Sequence, residues 1–340
     1  MSNALPNKQI TLAHGGGGKL SRELVEEIIY PIFDNNGGHR LLDSALLSLD
    51  GGNIAMTTDS FVISPLFFPG GDIGKLAACG TINDLAVAGA KPRVLSVGLI
   101  IEEGFEIADL KRILHSLAKT ASAAGVSVVT GDTKVVEKGN CDGLYINTTG
   151  LGVVPENVSL GPEKVSVGDL VIVSGSIGDH GMAILSTREG LSFRTEIESD
   201  CAPLNDLTEK LVATGGVSVM RDPTRGGVAS ILHELAQESG LTVEISEEML
   251  PVHPAVNAGC SMLGLDPLNL ANEGKLVIFA KAHKEEEVMN VLKNHPLGRS
   301  ASVIGKVTSR EEWGKVLIET TLGAKRILPL IEGEVLPRIC

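Results

Sequence analysis

The chain has 340 residues, 43% of them hydrophobic and only 3% aromatic, so its core must be built from Val, Ile, Leu and Ala. A formal charge of −13 and a pI near 5.1 argue against binding nucleic acid or an anionic membrane through bulk electrostatics. The length exceeds the usual single domain, and two domains are expected.

Five dispersed cysteines without a C-x-x-C pair make neither a disulfide framework nor a zinc site, and an odd count suits a reducing compartment. The first six residues lack the basic and apolar regions of a signal peptide, and the longest apolar runs, such as 97–101, are too short to cross a membrane. The reading is a soluble, cytoplasmic protein. Forty glycines imply several loops where backbone comes close to something.

The first such loop is Gly15-Gly16-Gly17-Gly18-Lys19, followed by a helical pattern over 21–33. Backbone N–H groups and one lysine ahead of a helix suit phosphate, although a glycine run also serves as a plain linker. It is not a Walker A loop, because the spacing fails and Leu20 stands where the hydroxyl belongs.

Four acids then recur at strand ends and helix starts. Asp59 lies within a strand-like run over 53–63. Asp84 follows Asn83 inside an apolar helix that Asp72-Ile73-Gly74-Lys75 opens. A carboxylate in such a helix is costly unless it is paired or binds metal. Asp132 follows a buried-strand pattern at Gly131-Asp132-Thr133-Lys134, and Asp222 lies in Arg221-Asp222-Pro223-Thr224-Arg225-Gly226-Gly227 before another helix. Singly, each reads as a turn or N-cap acid; together, beside Gly, Thr, Lys and Arg, they read as a magnesium–nucleotide site.

A Pro-, Glu- and Gly-rich stretch around 155–169 marks a domain boundary, and a second α/β half begins with a strand over 170–174. Asp179 and His180 in the following turn read mainly as a tight turn. Glu273 stands in Asn272-Glu273-Gly274 just before another strand. The expected units are 1–157, 158–327 and a tail, 328–340. Pro and Gly in that tail suit neither a regular helix nor a central strand, so it reads as a mobile arm ending on Cys340. Nine extended residues span roughly 30 Å.

The glycine loop, Thr58-Asp59-Ser60, Asn83-Asp84, Gly131-Asp132-Thr133, the Asp222 loop, Asn272-Glu273-Gly274 and the terminal Pro337-Arg338-Ile339-Cys340 occur together, in order. On these motifs the chain resembles, over essentially its whole length, the HypE family of hydrogenase maturation factors. That family belongs to the PurM-like superfamily of aminoimidazole ribonucleotide synthetase, thiamine-monophosphate kinase and selenophosphate synthetase. The latter enzymes carry Cys or selenocysteine in the glycine loop, which here has none, and this counts against selenide activation.

The resemblance implies a two-domain α/β (α+β) fold. Its N-terminal half-barrel, of four strands, is completed by a second subunit in a homodimer, and its C-terminal domain is α+β. It implies ATP and Mg²⁺ in a cleft at the dimer interface, carbamoylation of Cys340 by the carbamoyltransferase HypF, and ATP-dependent dehydration of the thiocarboxamide to a thiocyanate. The HypC–HypD complex would accept the cyano group, as cyanide ligand of the NiFe hydrogenase iron centre.

An amide oxygen leaves poorly, so its phosphorylation to an imidate phosphate must precede loss of the N–H protons. Asp59, Asp84, Asp132 and Asp222 are expected to hold metal. Gly16, Gly17, Gly18, Lys19, Asp59, Lys75, Asn83, Asp132 and Thr133 are expected to hold nucleotide. Cys340, Glu273 and Lys134 are expected to act in catalysis. The alternatives are another ATP-dependent enzyme of the superfamily, such as a small-molecule kinase or a selenophosphate synthetase-like enzyme, and a non-catalytic carrier or scaffold.

Overall fold

A computed structural model describes residues 9–16, 18–33, 43–49, 52–190, 197–311, 313–330 and 338–340. The glycine loop feeds helix α1 (Lys19–Leu24), which passes through a π-helical stretch (Val25–Ile29) into α2 (Tyr30–Phe33). Strands β1 (Ala45–Leu49) and β2 (Gly52–Phe61) form a hairpin. Two short paired strands, β3 (Phe67–Phe68) and β4 (Gly71–Asp72), lead into α3 (Ile73–Val87). β5 (Lys91–Glu102), α4 (Ile107–Ala123) and β6 (Ser127–Val136) make a parallel crossover, and β7 (Leu144–Val154) inserts antiparallel between β2 and β5. The sheet order is β1-β2-β7-β5-β6, five strands where the resemblance implies four.

Helix α3 starts where the Asp72 carboxylate accepts the N–H groups of Gly74 at 2.8 Å and Lys75 at 3.1 Å. It is apolar on nearly every side, the composition of a helix without a solvent face, and it lies buried between the sheet, α4 and the second half of the chain. Gly150 of β7 lets it lie close: a methyl there would come within 2.7 Å of Thr81 and 2.9 Å of Leu85. Helix α4 buries one stripe, Ile113, Leu117 and Ala121, at helical spacing. The opposite face of the sheet carries Met56, Ile100, Leu151 and Val153, each 37–45% exposed.

The second half contains β8 (Leu170–Val173), α5 (Asp179–Glu189), α6 (Asn205–Ala213), β9 (Val217–Arg221), α7 (Gly227–Ser239), β10 (Leu241–Ser246) and α8 (Pro254–Leu263). It continues through β11 (Val277–Ala280), α9 (Glu285–Asn294), β12 (Ser302–Arg310), β13 (Lys315–Glu319) and β14 (Lys325–Ile327). Their sheet runs β14-β13-β10-β12-β8-β11-β9. Alternation sends Val171 and Val173 into a core under α7, and Ile172 into a second core under α6 and α9. Both faces are covered, which is why β8 and β11 read as unbroken apolar runs. No helix among the described residues is long and apolar enough to cross a membrane.

Asn83 fastens the two halves together. Its Nδ2 donates to the carbonyls of Ala202 at 3.2 Å and Glu273 at 3.3 Å, and its Oδ1 accepts the Leu204 N–H at 2.8 Å.

Candidate active site

Asp59 lies in the helix-facing row of β2 with Ala55, Thr57 and Phe61, opposite Asp84 on α3. The Thr57 hydroxyl donates to Asp84 Oδ2 at 2.7 Å. Asp222, directly after β9, and Asp43, two residues before β1, close the group. One carboxylate oxygen from each of Asp43, Asp84 and Asp222 lies within 4.8 Å of the others. Burial pushes the carboxyl of Asp84 well above the usual range, and the neighbouring Asp59, Asp222 and Asp43 raise it further. Asp222 is pushed up to about 8, again by burial first and Asp43 next. Burial also raises Asp59, against the pull of Arg225. Arg221 pairs with Asp43 at 2.5 Å and Glu234 at 3.0 Å.

Carboxylates held this close, Asp222 buried and the others half-buried, repel unless protons or a cation neutralise them. An all-oxygen donor set of this kind suits a hard divalent ion such as Mg²⁺.

A cavity of about 620 Å³ is lined by Thr11, Gly15, Ser60, Arg225, Ile339 and Cys340 among others. Arg225 bridges cavity and acids: it donates to the Gly15 carbonyl at 3.0 Å and also acts on the Asp59 carboxyl. The loop is braced from within, with the Ser21 hydroxyl donating to the His14 carbonyl at 2.5 Å and buried His14 bonded to Thr11 at 2.9 Å. Gly18 precedes α1 in extended conformation and Gly16 lies in the loop; Gly17 is outside the described residues.

The tail ends in this cavity. The Val62 N–H donates to the Cys340 carbonyl at 3.1 Å and the Ser64 N–H to the Arg338 carbonyl at 3.4 Å, while Arg338 Nε donates to the Val62 carbonyl at 2.9 Å. The last residues therefore lie along 62–64 like an added strand. Ile339 is 4% exposed, packed in the core cluster that includes Ile184, Cys201 and Ala271. The sequence reads as a mobile arm, whereas its described end is seated; 331–337 lie outside the described residues.

Of the expected residues, Asp59, Asp84 and Asp222 come together, Gly16, Gly18 and Lys19 lie on the loop and its helix, and Cys340 reaches the cavity. Glu273 is 1% exposed, and its Oε1 has no hydrogen-bond partner among the described residues. Burial, with Cys201 and Asp222 nearby, holds its carboxyl well above the usual range.

Other placements differ from the sequence expectation. Asp132 is exposed and paired with Lys134 at 2.5 Å on edge strand β6. The register row Ser60, Asn147, Gly98, Asp132 puts it three strands from Ser60, roughly 14 Å away on the outer face, so within one chain Asp132, Thr133 and Lys134 stand apart from the acids. Asn83 is a buried fastener whose amide is already bonded to backbone. Lys75 donates to the Gly70 carbonyl at 2.7 Å, about 13 Å along α3 from Asp84, rather than facing the cavity.

Sequence reasoning missed Asp43, whose only signal is an acid just before a strand. Arg225 reads in the sequence only as part of the Asp222 loop, and His180 mainly as a turn residue.

Two α/β units with a half-buried carboxylate cluster and a glycine loop define an AIR synthase-related protein. Models of that family's N-terminal and C-terminal domains match residues 42–154 and 166–315. The carbamoyl dehydratase HypE of Bradyrhizobium diazoefficiens is 48% identical over 336 residues, 98% of this chain and 97% of that protein. A solved structure of a HypE–HypF complex aligns with TM-score 0.85 and 48% identity, covering 91% of this chain and 99% of that one. A HypE solved in complex with ATP aligns with TM-score 0.82 and 45% identity, covering 97% of this chain and 100% of that one. The chain belongs to the HypE family, and its fold is PurM-like.

Proposed function

We propose that this chain is an ATP-dependent carbamoyl dehydratase whose substrate is its own C-terminal Cys340, carried as the S-carboxamide and converted to a thiocyanate. The thiocyanate supplies the cyanide ligands of a NiFe hydrogenase iron centre. The observation that carries this reading is that Cys340 lines the same cavity as Gly15 of the glycine loop, Ser60 and Arg225, and that Arg225 in turn acts on Asp59 of the acid group. A kinase or a passive scaffold gives no reason for the terminal thiol to occupy that cavity.

When bound, a magnesium nucleotide would supply the phosphoryl group that turns the thiocarboxamide oxygen into a leaving group. Asp43, Asp84 and Asp222, with Asp59, would hold the cation. Gly15–Gly18 backbone, Lys19 and Arg225 would face the phosphates. Glu273 is the proton-transfer candidate from this chain, because burial, with Cys201 and Asp222 nearby, raises its carboxyl well above the usual range and so favours its holding a proton.

The partners follow the same reading: HypF as carbamoyl donor and HypC–HypD as cyano acceptor, in the cytoplasm. Among the described residues the outer face of the first sheet is exposed and the edge of β6 is unpaired, which favours a homodimer, since such edges and patches are otherwise liabilities. Asp132 and Lys134 share that face with Ser60, so a second copy packed on it would be the source of these residues at the site.

The test is the mass of the C-terminal peptide after incubation with the carbamoyltransferase, carbamoyl phosphate and ATP. It should gain one carbamoyl group and then, only with ATP, lose one water. Carbamoylation of any other cysteine, or water loss without ATP, would overturn the reading.

A further inference from the structure

The seated tail is held by groups that no step of the dehydration uses. His180, on α5, is fully buried, with its ring against the edge of Phe68 at 5.5 Å between centroids. Its Nε2 lies 2.8 Å from the Ile339 carbonyl and its Nδ1 2.7 Å from Ser199 Oγ. A carbonyl only accepts, so Nε2 carries the proton, and Nδ1 then accepts from Ser199. The Ser199 oxygen in turn accepts the Cys201 N–H at 3.1 Å. The chain of bonds has one consistent direction, Cys201 N–H to Ser199 to His180 to Ile339, which fixes the ring tautomer and its orientation.

Two turns further along α5, Arg188 donates to the Arg338 carbonyl and, through Nε at 2.5 Å, to the Ser64 carbonyl. It ties the tail to the segment it lies against. Arg338 has a left-handed backbone, φ 54°, which a side-chain-bearing residue adopts only when its surroundings impose it. These bonds from His180 Nε2 and Arg188 all fall on main chain.

We propose that His180 and Arg188 are positioning residues: a latch on α5 that seats the Arg-Ile-Cys end through its carbonyls and so holds Cys340 at the cavity for dehydration. The proposal rests on the function above but has its own readout. A latch that reads main chain grips the tail whether the sulfur is a thiol, a thiocarboxamide or a thiocyanate. It also opposes the excursion in which the tail meets the carbamoyltransferase, so the latch divides the tail between two enzymes.

The experiment measures iodoacetamide alkylation of Cys340 by peptide mass in His180→Leu, His180→Gln and Arg188→Met, with buried Cys260, in a separate core cluster, as internal control. Losing one buried hydrogen bond should raise the Cys340 rate about tenfold in His180→Leu and in Arg188→Met. Cys260 should be unchanged, and His180→Gln, which keeps an N–H donor, should return toward wild type. Transfer of the carbamoyl group to Cys340 should be equal or faster, while ATP-dependent water loss slows by a similar factor. Unchanged Cys340 alkylation in both Leu and Met variants overturns the latch, as does a rise shared equally by Cys260, or a matching fall in both chemical steps. If the wild-type tail never loses water with ATP, the dehydratase reading falls while the alkylation result still decides the latch.

Discussion

Replacing Asp84 with Asn keeps the shape of the side chain, leaves an oxygen to accept the Thr57 hydroxyl and removes one charge from the acid group. Carboxylate oxygens of Asp43, Asp84 and Asp222 lie within 4.8 Å of one another. Two full charges at that separation, at an effective dielectric of about 20, repel by about 3.5 kcal/mol. Protons shared within the group reduce what is felt. With Asp222 titrating at about 8, relief of part of one pair, on the order of 2 kcal/mol, is expected at pH 8. Asp84→Asn should therefore be more stable than wild type in EDTA at pH 8, the gain should shrink at pH 5, and ATP turnover should be lost. Added Mg²⁺ should raise the melting temperature of the wild type and leave the variant nearly unmoved. Thermal melts in EDTA and in Mg²⁺, with a phosphate-release assay, read all of this. A variant that is less stable in EDTA at pH 8, or that gains as much from Mg²⁺ as the wild type, would refute the assignment.

The Asp222 carboxyl rises from 3.8 to about 8 on folding, so between those values the folded chain binds more protons than the unfolded one. Stability should then fall as pH climbs from about 4 to about 8, and Mg²⁺ should flatten the slope; urea unfolding across that range measures it. Asn83→Ala leaves the Leu204 N–H and two carbonyls without their partner, at a cost of about 2–3 kcal/mol seen in urea unfolding, although Asn83 touches no cavity residue described above. Leu151→Lys places a charge on the bare sheet face and should shift a dimer to monomer in sedimentation. A wild type that sediments as a folded, ATP-binding monomer would remove the shared-barrel reading.

The acids were legible because each stands where a strand ends or a helix is otherwise apolar, and Asp84 was the clearest, since burial there demands a reason. Asp43 was not: an acid ahead of a strand is an ordinary turn residue until Arg221 and Asp222, far away in sequence, are seen beside it. Adjacency to Asp84 suggests a shared role for Asn83 that its bonds to the second half do not display. Successive residues of a helix point about 100° apart, and Asn83 faces the second half of the chain while Asp84 faces the sheet. Asp132 reads as one of the acids in sequence, yet the strand order places it at the far edge. The arm reads in sequence as non-regular and mobile, whereas the seat of its described end depends on His180 and Arg188, whose partners are backbone carbonyls that leave no trace in a sequence pattern.

Gly150 pairs directly with Thr57 across β2 and β7 and lies under Thr81 and Leu85 of α3. Asp59 belongs to the sheet and Asp84 to the helix, so the gap between them is a packing distance, set by how far α3 can settle onto β7. In a close-packed interior an added methyl there forces Thr81 and Leu85 to give way, and any part of that shift taken up by α3 moves Asp84 together with Asn83 and the hold on the second half. Discrimination between ions of different radius is a matter of cavity size and rigidity. Here that dimension is ruled by a residue with no side chain, and a search for altered ion preference begins at the helix–sheet contact, with every carboxylate left in place.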